Sequence, residues 1–331
     1  MKLESDFFGA FNNEVANQFT ARTMVEHYTE AIMYHHPRKG ELDGDDIGTK
    51  AQALVDEIFS SIGSISTQPE LLGETIKKLG RKAEDRNPIW FSEFDEAYDS
   101  YRKNSKLPLI GKFMLLSLRG ANSLVDFGCG DGEIALFLRD ELGLDEVRGV
   151  DVLDWRGEKA KNDERFKFYS HDFNKPGEAE IPSSDAGTMH AVLHHVSGDG
   201  DEISQYLERA KGVVGDKLLV VEDVLYSGED FHLSIPGIES LQSRIDEQPN
   251  FAEFTKLSLE EQRAIITMLD LLSNSLALGI PEMNFPFGAR KLSAWIGVFE
   301  NSGLKLQDVQ ILGFQEHLFH RMSQVLFVLN K

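Results

Sequence analysis

The chain has 331 residues, 41% of them apolar, which is room for one large α/β domain with a helical appendage and a real core. Its 34 Lys+Arg stand against 55 Asp+Glu, a formal charge of -21 that repels a phosphate backbone, and the basic stretches at Ile76–Lys82 and Tyr101–Lys106 are interleaved with or flanked by acids. One cysteine, Cys129, excludes an internal disulfide and any chemistry needing two thiols. With no apolar run of about 18 residues and no secretory pattern at Met1–Asp6, a cytoplasmic chain is expected, with neither nucleic acid nor membrane as partner.

From Asp6 to about Leu118 the pattern is helical. Phe7, Phe8, Phe11, Val15 and Phe19 recur at three- and four-residue steps, and similar stripes run through Ile47–Ile62 and Phe113–Leu118. Breaks at Pro37–Gly40, Gly63-Ser64 and Asn87-Pro88 set off an all-helical N-terminal region, 1–118, expected to act as a lid or as a homodimer surface.

After Gly120 short β-branched runs alternate with helices: Ser123–Phe127, Glu133–Leu142, Val147–Val152, Phe166–Tyr169, Ala186–Val192 and Leu218–Val224. Such alternation builds a parallel sheet covered by helices. A helical insertion, 228–285, then interrupts it. The capping box Ser258-Leu259-Glu260-Glu261 opens a helix there with apolar Ile265, Leu269, Leu272 and Leu276, beyond the carboxyl end of a strand, where open α/β sheets bind ligands. At the end, Ala289–Asn301 reads as a helix closed by Gly303, followed by strands Leu306–Leu312 and Gln324–Leu329 in a hairpin.

The strongest local signal is Leu124-Val125-Asp126-Phe127-Gly128-Cys129-Gly130-Asp131-Gly132-Glu133-Ile134, a buried strand entering a glycine turn and then a helix. Glycines let the backbone approach a ligand, and the helix start adds a positive dipole. A dinucleotide fingerprint would place its third glycine where Glu133 stands, and Asp126 would repel phosphate yet attract an ammonium group. The chemistry favours a zwitterionic ligand without phosphate.

Here the sequence resembles the class I S-adenosylmethionine-dependent methyltransferases, whose first motif, D-x-G-x-G-x-G, is matched at Asp126, Gly128, Gly130 and Gly132. The resemblance implies a Rossmann-like, seven-stranded, mostly parallel sheet with an antiparallel last strand, occupying 119–331. It also implies S-adenosyl-L-methionine as cofactor. Asp151, with Val152 beside it, would hold the ribose hydroxyls, and Asp172, with Phe173, would meet the adenine. The stretch Met189-His190-Ala191-Val192-Leu193-His194-His195 looks like the fourth-strand motif of small-molecule enzymes ending in V-L-H-H, where the backbone near Met189 and His190 would meet the methionine portion. Tyr101, like Tyr98, resembles the aromatic residues that cover the cofactor in related enzymes.

The expected activity is methyl transfer, O- or C-directed, to an apolar or aromatic small molecule. Rival readings are a silent cofactor-binding subunit and a protein methyltransferase. His194 and His195 are the candidate proton acceptors, with loop packing as the other reading. Asp151 also reads as a helix cap, Asp172 as a plain loop acid and Cys129 as buried filler. Glu222 and Asp223, with the turn Gln315–His320, lie on the same rim, yet no spacing is diagnostic of a metal and none is expected.

Overall fold

The computed structural model describes residues 14–64, 75, 92–173, 181–196, 201–230, 233, 249–271, 288–313 and 324–331. The phenylalanines at 7, 8 and 11, the insertion's Leu272 and Leu276, and the turn Gln315–His320 lie outside them. Two compact units are present: Met1–Lys106 with Gln248–Ala289 and Gly313–Met322, and Leu107–Glu247 with Arg290–Leu312 and Ser323–Lys331.

The first unit is helical. It holds α1 (Glu14–His35), α2 (Gly44–Ser64), α3 (Ser92–Tyr101) and a π-helical turn, Arg102–Lys106. Its core follows the apolar stripes: Met24, Tyr28, Ala31 and Ile32 from α1, Ile47, Ala51, Leu54, Val55 and Ile58 from α2, and Phe94, Ala97, Tyr98 and Tyr101 from α3. Tyr28 meets Phe94 edge-on at 5.1 Å. The insertion's two described helices, which are α8 (Pro249–Lys256) and α9 (Leu259–Leu271) in chain order, belong to this unit, with α9 against α1. The capping box forms as read: Ser258 N donates to Glu261 Oε2 at 2.8 Å, and Glu261 N to Ser258 Oγ at 3.3 Å.

The second unit runs α4 (Leu107–Leu118), β1 (Leu124–Phe127), α5 (Glu133–Leu142), β2 (Val147–Asp151), α6 (Glu158–Asn162), β3 (Phe166–Ser170), β4 (Ser184–His190), α7 (Asp201–Val213) and β5 (Val214–Leu225). It ends with β6 (Arg290–Lys291), α10 (Leu292–Asn301), β7 (Lys305–Gly313) and β8 (Gln324–Asn330). Helix α4, whose stripe reads with the N-terminal helices, groups instead with the sheet and buries Ile110, Met114 and Leu118 in its core.

The sheet order is β3-β2-β1-β4-β5-β8-β7, with the two-residue β6 added in parallel at the end of β5. Strands β1 to β5 pair in parallel, and β8 runs antiparallel to β5. The fold is Rossmann-like. Strand β1 is buried along its length because helices cover both faces, which is why Leu124-Val125-Asp126-Phe127 is almost wholly apolar. The order reverses between β1 and β4, so a crevice opens beyond their carboxyl ends, the place where such sheets bind ligands.

Candidate functional site

The glycine turn leaves β1 at that crevice. Gly128, Gly130 and Gly132 have φ of 64°, 51° and 81°, the left-handed region that glycine enters without a Cβ clash. The turn is stitched to β2: Gly128 N donates to Val150 O at 2.7 Å, and Gly130 N donates to Asp151 Oδ2 at 2.9 Å. The glycines divide the work. A Cβ on Gly128 would lie 2.4 Å from Val192 Cγ2, and one on Gly132 2.9 Å from Ala160 Cβ and from Phe166 Cε2, whereas one on Gly130 meets nothing within 4 Å. Gly128 and Gly132 permit packing; Gly130 borders open space.

That division predicts two kinds of damage. Gly128→Ala should cost several kcal/mol, about 3 or more from overpacking added to left-handed strain, and lower the melting temperature sharply. Gly130→Ala should cost only about 1 kcal/mol of stability while obstructing whatever approaches that backbone. Thermal melts compared with ligand titrations of the two variants check this.

Asp126 is 2% exposed, and its Oδ1 accepts a hydrogen bond from Thr188 Oγ1 at 2.7 Å. Burial pushes its pKa up to about 7; the Thr188 hydroxyl opposes the shift, while Asp151 and Asp131 add to it. Relative to about 3.9 in an unfolded chain, the folded state therefore holds this proton more tightly. The contribution to stability is complete below about pH 4 and is lost as pH rises through about 7, on the order of a few kcal/mol. Denaturant unfolding from pH 5 to 8 should show the wild type losing stability relative to Asp126→Asn as pH rises.

Asp151, half-buried at the end of β2, uses Oδ2 on Gly130 N and Oδ1 on Val152 N at 2.7 Å. Burial raises its pKa, and the backbone donors of Gly130, Val152 and Leu153 oppose that. Three backbone donors thus occupy three of its four lone-pair sites, and one remains for a further donor. Val152 and Leu153, directly beyond, are 49% and 43% exposed, apolar surface at the mouth of the crevice. Arg156 closes the same loop, held by Asp154 at 2.8 Å through both Nε and Nη2, with its guanidinium over the Phe168 ring at 4.7 Å.

Past β3, Asp172 is half-buried, while Phe173 is a packed ring, 3% exposed, against Phe127 at 5.2 Å, His171 at 4.6 Å and Tyr206 at 5.4 Å. Tyr206 on α7 is buried, and the burial, with Asp151, Asp172 and Asp126 in turn, pushes its phenol pKa up. Cys129 is buried with its thiol pKa pushed up by burial, and its Sγ would lie 2.8 Å from a Cβ on Gly149, which suits a filler.

Strand β4 ends with Met189, fully buried, and half-buried His190. Ala191 follows with φ 56°, strained for a residue with a Cβ, and its N–H is held by Val221 O at 2.9 Å. The turn Leu193–His195 is fixed by fully buried Glu222 from β5. Glu222 Oε1 accepts from Val192 N at 2.9 Å and Leu193 N at 2.6 Å, and Oε2 lies 2.5 Å from His194 Nδ1. The His195 ring packs on His194 with centroids 4.1 Å apart. His194 is 3% exposed and His195 half-buried.

Tyr101 lies in the first unit, its buried ring against His35 at 5.1 Å and Tyr98 at 6.2 Å. Among the described residues no group of three or more His, Cys, Asp or Glu is placed to hold a metal ion. None of the described helices is long and apolar enough to cross a membrane. Thr188, Tyr206 and Ala191 carry no sequence signal that separates them from ordinary strand and helix residues.

No family model matches the chain, and no curated protein is significantly similar to it. Among solved structures, the chain is similar to the mitomycin 7-O-methyltransferase MmcR at 15% identity, with a TM-score of 0.44 over 86% of this chain and 71% of that one. It is similar to human N-acetylserotonin methyltransferase, solved with S-adenosylmethionine, at 15% identity and a TM-score of 0.46 over 86% and 70%. An O-methyltransferase family protein from Burkholderia thailandensis gives 14% identity and 0.45 over 85% and 73%. Similarity of this degree assigns neither activity nor substrate, which rest on the residues themselves.

Proposed function

We propose that the second unit binds S-adenosylmethionine at the carboxyl ends of β1, β2 and β4 and transfers its methyl group to a small-molecule acceptor. The observation that carries this is the acid-bordered glycine turn: Gly130 faces open space with its N–H on Asp151, and buried Asp126 stands behind the turn. The residues fit a cationic nucleoside. Asp151 keeps a lone pair for a ribose hydroxyl, exposed Val152 and Leu153 offer an apolar rest for a base, and Asp172 can accept from an exocyclic amine. A phosphate ester would meet carboxylates instead of donors.

When bound, the cofactor supplies a methyl carbon activated by a sulfonium. Because little new charge develops as the methyl moves, the protein's contribution is alignment and exclusion of water. The His194 ring is held by Glu222, whose Oε2 lies 2.5 Å from Nδ1, and under this reading the imidazole takes the proton of an acceptor hydroxyl. The His195 ring leans against that ring, tilted by 50°, and supports it. A carbon or nitrogen nucleophile would use the same alignment without the proton transfer. The helical N-terminal region, under this reading, serves as lid or dimer surface.

The test is calorimetric titration with S-adenosylhomocysteine, followed by incubation with S-adenosylmethionine and a pool of phenolic and other apolar metabolites. Saturable binding and S-adenosylhomocysteine release above background are expected. Binding without turnover would mark a silent subunit, turnover only on protein mixtures a protein methyltransferase, and preference for a nicotinamide dinucleotide would overturn the reading.

A further inference from the structure

One face of α7 grips the loop that follows β3. Tyr206 and Arg209 are three residues apart and so share a face. The Tyr206 ring packs on Phe173 at 5.4 Å, and an Arg209 guanidinium N–H donates to the Phe173 carbonyl oxygen. Gln205, one helical turn before Arg209, accepts from its other nitrogen at 3.5 Å. On its far side Phe173 is braced by His171 at 4.6 Å and Phe127 at 5.2 Å. The residue between His171 and Phe173 is Asp172, so both its neighbours are anchored while its own side chain is half-buried. The backbone on the strand side is tied as well: His171 N donates to Asp151 O at 2.9 Å.

We infer that Arg209 and Tyr206 are positioning residues for base recognition: they fix the Phe173 end of the loop, and thereby the carboxylate of Asp172, against the exocyclic amine of a purine. This rests on the function proposed above and adds which residues set selectivity for adenine over a 6-oxo purine. Arg209 reaches the ligand only through the Phe173 backbone, and so it should change discrimination rather than general binding. A carboxylate that meets an amine donor gains a hydrogen bond to a charged acceptor. Facing a 6-oxo group it meets an acceptor instead, leaving both groups unsatisfied.

The experiment is calorimetric titration of the full chain with S-adenosylhomocysteine and with S-inosylhomocysteine, which differs in carrying oxygen for the 6-amino group. Wild type should favour the adenine ligand by about tenfold or more. Arg209→Met should bring the ratio to within about threefold while leaving affinity for S-inosylhomocysteine within about threefold of wild type, and Arg209→Lys should recover part of the preference. Tyr206→Phe should keep the ratio, since the ring remains, and Tyr206→Leu should reduce it. Equal weakening of both ligands in Arg209→Met, or an unchanged ratio, would overturn the inference. So would a wild type that binds both ligands alike, although cofactor binding would then stand. A wild type that binds neither ligand refutes the proposed function itself.

Discussion

Asp151→Ala should lose affinity for S-adenosylhomocysteine by about 100-fold or more, the largest binding effect expected of any single substitution. A hydroxyl donor to a carboxylate is worth about 1.5 to 3 kcal/mol, release of the turn that the carboxylate holds adds to it, and every 1.4 kcal/mol is about tenfold. The carboxylate also holds the turn, because Oδ2 accepts the Gly130 N–H at 2.9 Å and Oδ1 the Val152 N–H at 2.7 Å. Removing it frees the backbone that must approach the ligand. Asp151→Asn separates the two contributions: it keeps an oxygen for Gly130 N but places a donor toward one hydroxyl, so an intermediate loss is expected. Titration of both variants, with thermal melts to verify folding, checks the result. Undiminished affinity in Asp151→Ala would remove the basis for a ribose at this position.

Glu222→Ala should produce a large loss of stability. Its carboxylate is fully buried and serves Val192 N, Leu193 N and His194 Nδ1 together. Deleting it strands two backbone donors and one ring nitrogen away from water, at about 1 to 3 kcal/mol each where water does not enter, so about 3 to 5 kcal/mol is expected. At about 2 to 4 °C per kcal/mol for a domain of this size, the melting temperature should fall by about 10 °C. Damage should also reach the glycine turn, because the Val192 side chain rests where a Gly128 Cβ would be. Glu222→Gln retains an acceptor for the backbone donors but turns an amide toward His194, so it should melt closer to wild type while disturbing the imidazole. A histidine proton titration followed by NMR in Glu222→Gln distinguishes these effects. Unchanged stability in Glu222→Ala would mean that the turn is held by other contacts.

Much of the second unit was legible in the sequence because it depends on neighbours along the chain. Helix α5 is expected from periodicity at Glu133–Leu142 and forms there, started by the glycine turn and ended by Gly143 at φ 69°. The Ser258–Glu261 capping box formed with both of its hydrogen bonds. Strand β5, Val214–Leu225, extends beyond the apolar run Leu218–Val224 that marks it in the sequence. Its polar opening, Gly215-Asp216-Lys217, has no apolar alternation, and yet Lys217 is paired with Ala186 on one side and Asn330 on the other. Ladder hydrogen bonds from two neighbours extended the strand where the residues alone gave no cue.

The sequence by itself determined the alternation of strands and helices, the left-handed glycine turn and the acids that end β1 and β2, since these follow from backbone sterics and short-range periodicity. Only the tertiary structure decided that Gly128 serves Val192 while Gly130 faces open space, and that Glu222 reaches back about one strand and one helix to hold the His194 turn. It also put the Phe173 ring against α7 and grouped the insertion's helices with the first unit. Such pairings join residues tens of positions apart. They are set by which side chains the sheet order brings into contact, and no local pattern encodes that order.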